Sequence, residues 1–268
     1  MNLEPALLLW LAAIAYLLAA WMIWHTLSQD HHHTLPAAVL GGLGLVAQGT
    51  YHLGPVWHGQ HLDFAFFHAL SLVSGALVAL WLAGLFRPAM RSLGTVILPC
   101  AAITAVLLAL FPDPRPVNES QPWQLELHAA IAVLAYASLS LAAIQALFLG
   151  VLDWILRQPR HLPLANRLPP LQAMDKLLFR IVAVGFLLLS LTLLSGILFV
   201  DDLFAQHLVH KTVLSLLAWL VFGTLLLGRA WRGWRGRLAA RWALAGMGLL
   251  VLAYFGSKLV VELILQRS

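Results

Sequence analysis

Histidines are the residues of this chain whose chemistry and spacing are most informative. The sequence has 12 of them, and neutral imidazole is a good ligand for iron, zinc or copper. Once the apolar segments are threaded through a bilayer, seven fall at the same membrane surface: His52, His58, His61, His68, His128, His207 and His210. This clustering predicts a metal or haem site at that surface.

Composition places the chain in a membrane. The sequence is 61% hydrophobic and 10% charged, whereas soluble domains have roughly 45–50% and about 25%. A spanning helix needs about 20 mostly apolar residues, and eight such segments are present, at about 5–24, 36–54, 64–86, 92–111, 125–156, 177–200, 212–227 and 242–265. The short alternating segments typical of membrane barrels are missing. We therefore predict an all-α, polytopic integral membrane protein with about eight transmembrane helices and a single domain over residues 1–268.

The positions of lysine and arginine set the predicted orientation, because cytoplasmic loops retain these residues. Twelve of the 16 lie in three connections, at 87–91, 157–180 and 229–241. Placing those connections inside puts both termini outside. The N-terminal segment has no basic n-region and no convincing cleavage site, so we expect the first span to be retained. Anionic lipid explains cations beside span ends, and we do not expect nucleic acid as a partner.

His52 and His128 stand out because they fall at similar depths on different predicted spans. His52 lies two residues before Gly54, where the second span ends, and His128 lies about 5–8 Å inside the fifth span at 1.5 Å per residue. Rings at one level could bind an iron from opposite sides. In the alternative interpretation this face is a helix-packing seam, with each histidine only bonded to a neighbouring helix. The residues that follow His128 at helical spacing are Ala132, Ala135, Leu139 and Ala142, and the three alanines among them are small.

The other polar candidates rank below this pair. His68, one turn inside the third span, and His207 and His210, beside the seventh, are second-rank ligands, whereas His58 and His61 fit a solvated loop. Lys211 and Lys258 could neutralise anionic groups at the outer surface, although snorkelling to lipid phosphate is the competing and slightly favoured explanation. The single cysteine, Cys100, lies within a span, which excludes a disulfide framework and a CxxC redox centre.

The C-terminal half carries a family resemblance. The run from His210 to Leu220, the segment Trp231-Arg-Gly-Trp-Arg-Gly-Arg237 and the run Ala253-Tyr-Phe-Gly-Ser257 resemble the end of the cytochrome c assembly membrane family. His128, followed by Leu134-Ala-Tyr-Ala-Ser138, is similar to that family's histidine-bearing helix. Over the full chain, the sequence resembles most the small YpjD-type branch, also described as CcsA-like or HemX-like.

This resemblance implies haem binding, with His128 and His52 matching histidines of the family. We predict haem b with these two residues as its axial ligands, and Lys211 and Lys258 as weaker candidates for propionate partners. The resemblance also implies a place in the bacterial inner membrane beside other cytochrome c assembly proteins. The family's tryptophan-rich outer motif is replaced here by the sequence 201–209, and a second outer histidine is missing after Gly256. We therefore expect help with haem handling or delivery rather than independent catalysis of thioether formation.

Three other functions stay open at this point. A cytochrome b-type electron carrier would use paired histidines, but it usually needs a second haem at the inner side. A divalent-metal transporter would need ligands near the bilayer midplane, where no span carries a central acidic residue. A scaffold of an assembly complex would need no cofactor.

Overall fold

The computed structural model describes residues 3–28, 34–58, 61–112, 122–156, 170–199 and 209–256. Within these ranges the helices are joined by short turns and there is no strand. The helices are α1 (Leu3–Ser28), α2 (Thr34–Trp57), α3 (Phe66–Gly84), α4 (Pro88–Arg91), α5 (Gly94–Leu110), α6 (Trp123–Leu156), α7 (Leu171–Phe199), α8 (Val209–Arg232) and α9 (Arg237–Val251). A π-helical turn, Leu252–Gly256, continues α9.

The helices form two compact units, and the first contains α1 to α5. Within it, α1 and α3 each pack against both α2 and α5, which closes a four-helix bundle. Glycines allow the close approaches: a Cβ at Gly44 would lie 2.7 Å from the Tyr16 ring, and one at Gly94 would lie 2.6 Å from Trp81. Small residues at helix interfaces are expected in membranes, where helices associate through packing rather than through the hydrophobic effect.

The second unit contains α6 to α9. Here α6 packs against α7 and α9, and α8 packs against the same two helices, so this unit is also a four-helix bundle. Leu139 of α6 covers Gly185 of α7, where a Cβ would come within 2.6 Å of the leucine side chain, and Phe222 covers Gly246 in the same way at 2.7 Å. Ala135, Leu139 and Ala142 are buried, so this face of α6 packs inside the unit.

The predicted membrane fold is confirmed. Seven helical segments among the described residues are long and apolar enough to cross a membrane, and they match seven of the eight predicted spans. The remaining predicted span, 36–54, is α2, which is 24 residues long but less apolar because it carries Gln48, Thr50 and His52. The last predicted span begins earlier than expected, at Arg237, and its residues 257–265 lie outside the described ranges.

The turn between α8 and α9 is built from the segment that resembles the family's tryptophan-arginine motif. Gly233 and Gly236 both have a φ of 64°, a left-handed conformation that favours glycine. Trp231 is 80% exposed, as an interfacial anchor should be, whereas Trp234 folds back over Gly228 and lies with its ring centroid 5.4 Å from that of Trp242. Of these two tryptophans, only Trp231 is therefore exposed enough to contact the membrane interface.

Candidate functional site

His52 is held inside the first unit by a network of polar side chains. It is 7% exposed, and its Nε2 lies 2.9 Å from Oγ of Ser71 on α3. Nε2 of Gln48, one helical turn before His52, donates to the same hydroxyl oxygen and to the Ser71 carbonyl, at 2.8 Å each. On its other side, Oε1 of Gln48 accepts a hydrogen bond of 2.6 Å from the Tyr16 hydroxyl.

The direction of these bonds favours one protonation pattern for His52. Because the Ser71 oxygen already accepts a hydrogen bond from Gln48, its own hydroxyl proton is available for Nε2 of His52. The ring proton then lies on Nδ1. In this arrangement the lone pair of Nε2 is engaged by Ser71, so coordination of a metal through Nε2 requires that hydrogen bond to be exchanged.

His128 has the opposite arrangement in the second unit. Its Nδ1 lies 2.8 Å from Oγ of Ser195 on α7, and the Ser195 hydroxyl donates to the carbonyl of Thr192 at 3.0 Å. Since the serine uses its proton on that carbonyl, its oxygen accepts from the protonated Nδ1 of His128. Nε2 therefore keeps its lone pair. A histidine ligand whose second nitrogen is fixed by a hydrogen bond is the usual arrangement at metal sites.

The two histidines occupy equivalent positions on their own helices. His52 lies five residues before the last residue of α2, and His128 lies five residues after the first residue of α6. Each ring also bonds a serine on a neighbouring helix, as the packing-seam interpretation requires, so hydrogen bonding alone does not distinguish the two interpretations.

His68 joins His52 in an aromatic cluster of the first unit. The centroids of the two rings are 5.7 Å apart, and the Tyr51 ring lies 5.3 Å from His52 and 5.9 Å from His68. Nε2 of His68 lies 3.6 Å from Oδ2 of Asp63, a residue whose Oδ1 also accepts a hydrogen bond from the backbone of Ala65. The second-rank candidate His68 is thus placed beside His52.

The remaining candidates are not brought together by any described contact. His210 is exposed in the first turn of α8. Nζ of Lys211 lies 5.8 Å from the centroid of the Tyr254 ring, close enough for a cation–π interaction. His58 is exposed in the connection after α2. Lys258 and His207 lie outside the described residues.

Comparison with known proteins decides the family. Residues 36–265 match the family described as "Cytochrome C assembly protein". The chain belongs to the cytochrome c assembly protein family. It is 36% identical over 202 residues to "Inner membrane protein YpjD" of Escherichia coli strain K12, covering 73% of this chain and 76% of that protein. No solved structure matches the chain.

More distant relatives widen the family's range. The chain is 31% identical over 235 residues to an "Uncharacterized 28.8 kDa protein in nifR3-like 5'region" of Azospirillum brasilense, with 85% of each chain covered. It is 26% identical over 182 residues to "Cytochrome c biogenesis protein CcsA" of Chlamydomonas reinhardtii, which covers 64% of this chain and 50% of that protein. Membership of the cytochrome c assembly family supports a role in cytochrome c biogenesis and implies that haem is involved.

The donor set suits haem better than a bare divalent cation. A bare zinc ion takes about four protein or water ligands, and the described ranges contain no group of three or more histidine, cysteine or acidic side chains that could hold one. Haem brings four porphyrin nitrogens of its own and needs only one or two axial ligands from the protein. Single imidazoles with one anchored nitrogen, such as that of His128, fit this requirement.

Sequence reasoning missed the serines that anchor the two rings. Ser71 and Ser195 look like ordinary small residues of apolar helices, where a hydroxyl carries no distinct pattern. Comparing positions along α6 and α7 could have identified Ser195. It lies four residues before the end of α7, and α7 follows α6 as its antiparallel neighbour. Matching depth along that pair of helices would have set Ser195 opposite His128.

Proposed function

We propose that the chain binds haem b near the outer surface of the bacterial inner membrane and assists its handling or delivery during cytochrome c assembly. The observation that carries this proposal is the 2.8 Å distance between Nδ1 of His128 and Oγ of Ser195, from which we infer that Nε2 keeps its lone pair. The family match and the inner-membrane relative of Escherichia coli support the same conclusion.

His128 is the primary axial ligand in this proposal, and His52 is the second. The hydroxyl of Ser195 fixes the His128 ring and its tautomer, because the serine proton is committed to Thr192. His52 contributes only after Nε2 gives up its hydrogen bond with Ser71. A ligand that must first be released suits a protein that holds haem for transfer rather than one that keeps it permanently.

Cations near the same surface would neutralise the propionates when haem is bound. Lys211 and Lys258 are the candidates, and Lys211 lies within cation–π distance of the Tyr254 ring. The bound haem itself supplies the iron and the vinyl groups that cytochrome c assembly uses. Other membrane proteins of the assembly process are the proposed partners, and we assign this chain no independent thioether-forming activity.

Absorption spectra of the detergent-purified protein, expressed with ample haem, test the proposal. We expect a Soret band in the wild type, and a pyridine haemochrome spectrum of haem b. His128→Ala should lose most of the band, because it removes the one imidazole that is ready to coordinate. His52→Ala should keep haem but lose the sharp reduced-state bands that accompany two axial histidines.

His25→Ala is the matched control, since His25 is an exposed histidine in the last turn of α1, which is the end predicted to face the cytoplasm. Its spectrum should equal that of the wild type. A wild type that has no Soret band would overturn the proposal in favour of a cofactor-free scaffold. An unchanged band in both His52→Ala and His128→Ala would overturn the assignment of ligands.

Ser195→Ala tests how the His128 ring is positioned. Loss of a hydrogen-bonding partner behind a metal ligand typically weakens metal affinity by about 10- to 100-fold, and we expect a decrease of that size in haem affinity, measured by titration of the Soret band. Ser195→Thr keeps a hydroxyl and should restore most of the affinity.

Ser71→Ala is the contrasting variant for the same titration. The hydroxyl of Ser71 competes for the Nε2 lone pair of His52, so its removal should not weaken haem binding. Equal losses of affinity in Ser71→Ala and Ser195→Ala would contradict the assigned directions of the two hydrogen bonds.

A further inference from the structure

A groove runs between α6 and α9 in the second unit, away from His128. Its volume is about 410 Å³, within the range of roughly 300–1,000 Å³ that is usual for small-molecule sites. Small residues, Ala146 and Gly150 of α6 and Ala240 of α9, keep it open along its length. A Cβ added at Gly150 would meet no atom within 4 Å, so this glycine leaves space that no neighbouring side chain fills.

The groove opens sideways onto an apolar surface. Leu147, Val151 and Trp154 line it, and each is about half exposed, at 52%, 55% and 52%. In a membrane these side chains face acyl chains rather than water. The tryptophan lies in the last turn of α6, a position where tryptophan commonly marks the headgroup level.

Positive charge gathers at one end of the groove. Arg237 and Arg241, one turn apart at the start of α9, both line it. Arg237 pairs with Asp153, whereas no carboxylate in the described ranges pairs with Arg241, which is exposed. The N-terminus of α9 adds the positive end of its helix dipole at the same place.

We propose that this groove binds one anionic phospholipid, with an acyl chain along Gly150 and the phosphate at Arg241. The lining is apolar along its length and cationic at one end, which is the charge pattern of such a lipid. The arginine-rich end belongs to the side predicted to be cytoplasmic, where anionic headgroups attract basic residues. This site is independent of the haem proposal and uses none of its residues.

Native mass spectrometry of the full chain in detergent tests the site, with phosphatidylglycerol and phosphatidylcholine added separately. The wild type should bind one phosphatidylglycerol more tightly than phosphatidylcholine. Arg241→Gln should weaken phosphatidylglycerol binding by about fivefold, the usual effect of one basic residue near anionic lipid. Gly150→Leu should abolish binding of both lipids at this site, because its side chain would occupy the space left open beside Gly150.

Arg235→Gln is the matched control, since Arg235 is an exposed cation in the connection just before α9 but does not line the groove. It should bind phosphatidylglycerol like the wild type. Thermal unfolding of each variant shows whether it keeps its fold, and Gly150→Ala provides a milder filling with an intermediate loss. Equal affinity for the two lipids, or equal losses in Arg235→Gln and Arg241→Gln, would overturn the proposal.

Inorganic phosphate separates a lipid site from a simple anion site. We expect no phosphate binding that depends on Arg241 at the lipid concentrations used. Phosphate binding that Arg241→Gln removes and Gly150→Leu leaves unchanged would instead show an anion site, and the lipid proposal would be wrong.

Discussion

Replacing Asp175 with asparagine is expected to lower the free energy of unfolding by about 2–3 kcal/mol. Breaking a fully buried ion pair costs ~3–5 kcal/mol, but the partner Arg229 is 33% exposed, so the loss should be smaller here. Asp175 is 8% exposed, and its Oδ2 lies 2.9 Å from Nη1 of Arg229. Its Oδ1 accepts the backbone N–H of Gly236 at 3.0 Å. One carboxylate thus joins α7, α8 and the turn before α9.

The loss should be this large because asparagine leaves a guanidinium without its counter-charge. Arg229 would keep a hydrogen bond of 2.9 Å to the Trp234 carbonyl and its position 4.5 Å from the centroid of the Phe179 ring. Neither supplies a negative charge. Thermal unfolding in detergent measures the effect, and the α8–α9 turn should also become more accessible to protease, since its anchor is weakened.

Arg232→Gln is the control for this prediction, because Arg232 is an exposed cation at the end of α8 and is not the partner of Asp175. Surface substitutions of this kind usually change stability by within about 0.5 kcal/mol. If Asp175→Asn unfolds at the temperature of the wild type, the ion pair contributes nothing, and the turn is held by the packing of Trp234 and by its hydrogen bonds to Arg229 and Gly228.

Apolar run length was enough to predict most of the fold. The predicted fifth span, 125–156, differs from α6 by two residues at its start, because a long apolar segment without proline has no competing structure in a bilayer. The start of α9 was predicted five residues late, at 242 instead of Arg237. There the sequence is rich in arginine, and hydropathy gives no signal for a helix that continues into the headgroup region.

The two candidate histidines could be selected from the sequence, whereas their hydrogen-bonding partners could not. His52 and His128 are rare polar rings in apolar segments, so their types and depths single them out. The roles of Ser71 and Ser195 depend on which face of α3 and α7 turns toward each ring, and the apolar pattern all round these helices does not fix that rotation. The preference of His128 over His52 as a ligand follows from hydrogen-bond direction, which only the packed structure defines.

The polar residues of α2 lower its hydropathy. They can be buried because their polar groups pair with those of neighbouring helices. Gln48 is 1% exposed and Tyr16 is fully buried, and the amide of Gln48 satisfies the tyrosine on one side and Ser71 on the other. Nearby, Oγ of Ser74 and Oγ1 of Thr104 lie 2.6 Å apart. Buried polar groups are tolerated when they are paired, and these groups tie α1, α2, α3 and α5 together.

Gln48→Leu is therefore expected to destabilise the first unit strongly. Leucine has a similar size but no amide, so the buried Tyr16 hydroxyl would lose its acceptor and Ser71 would lose a donor. A buried unsatisfied polar group costs about 1–3 kcal/mol and a lost hydrogen bond about 1 kcal/mol. Together they predict a decrease of about 2–4 kcal/mol in the free energy of unfolding, measured by denaturation in detergent.

A double-mutant cycle with Tyr16→Phe separates the orphaned hydroxyl from a general packing defect. Tyr16→Phe alone should also destabilise, because it leaves Oε1 of Gln48 buried without its donor. The double variant should be less destabilised than the sum of the two single variants, since replacing both partners of a buried hydrogen bond by apolar groups of similar shape is often nearly neutral. Contacting residues usually couple by about 0.5–3 kcal/mol. Strict additivity would mean that the 2.6 Å bond between Tyr16 and Gln48 contributes nothing, and the cost of Gln48→Leu would then come from Ser71 and from packing against Gly75.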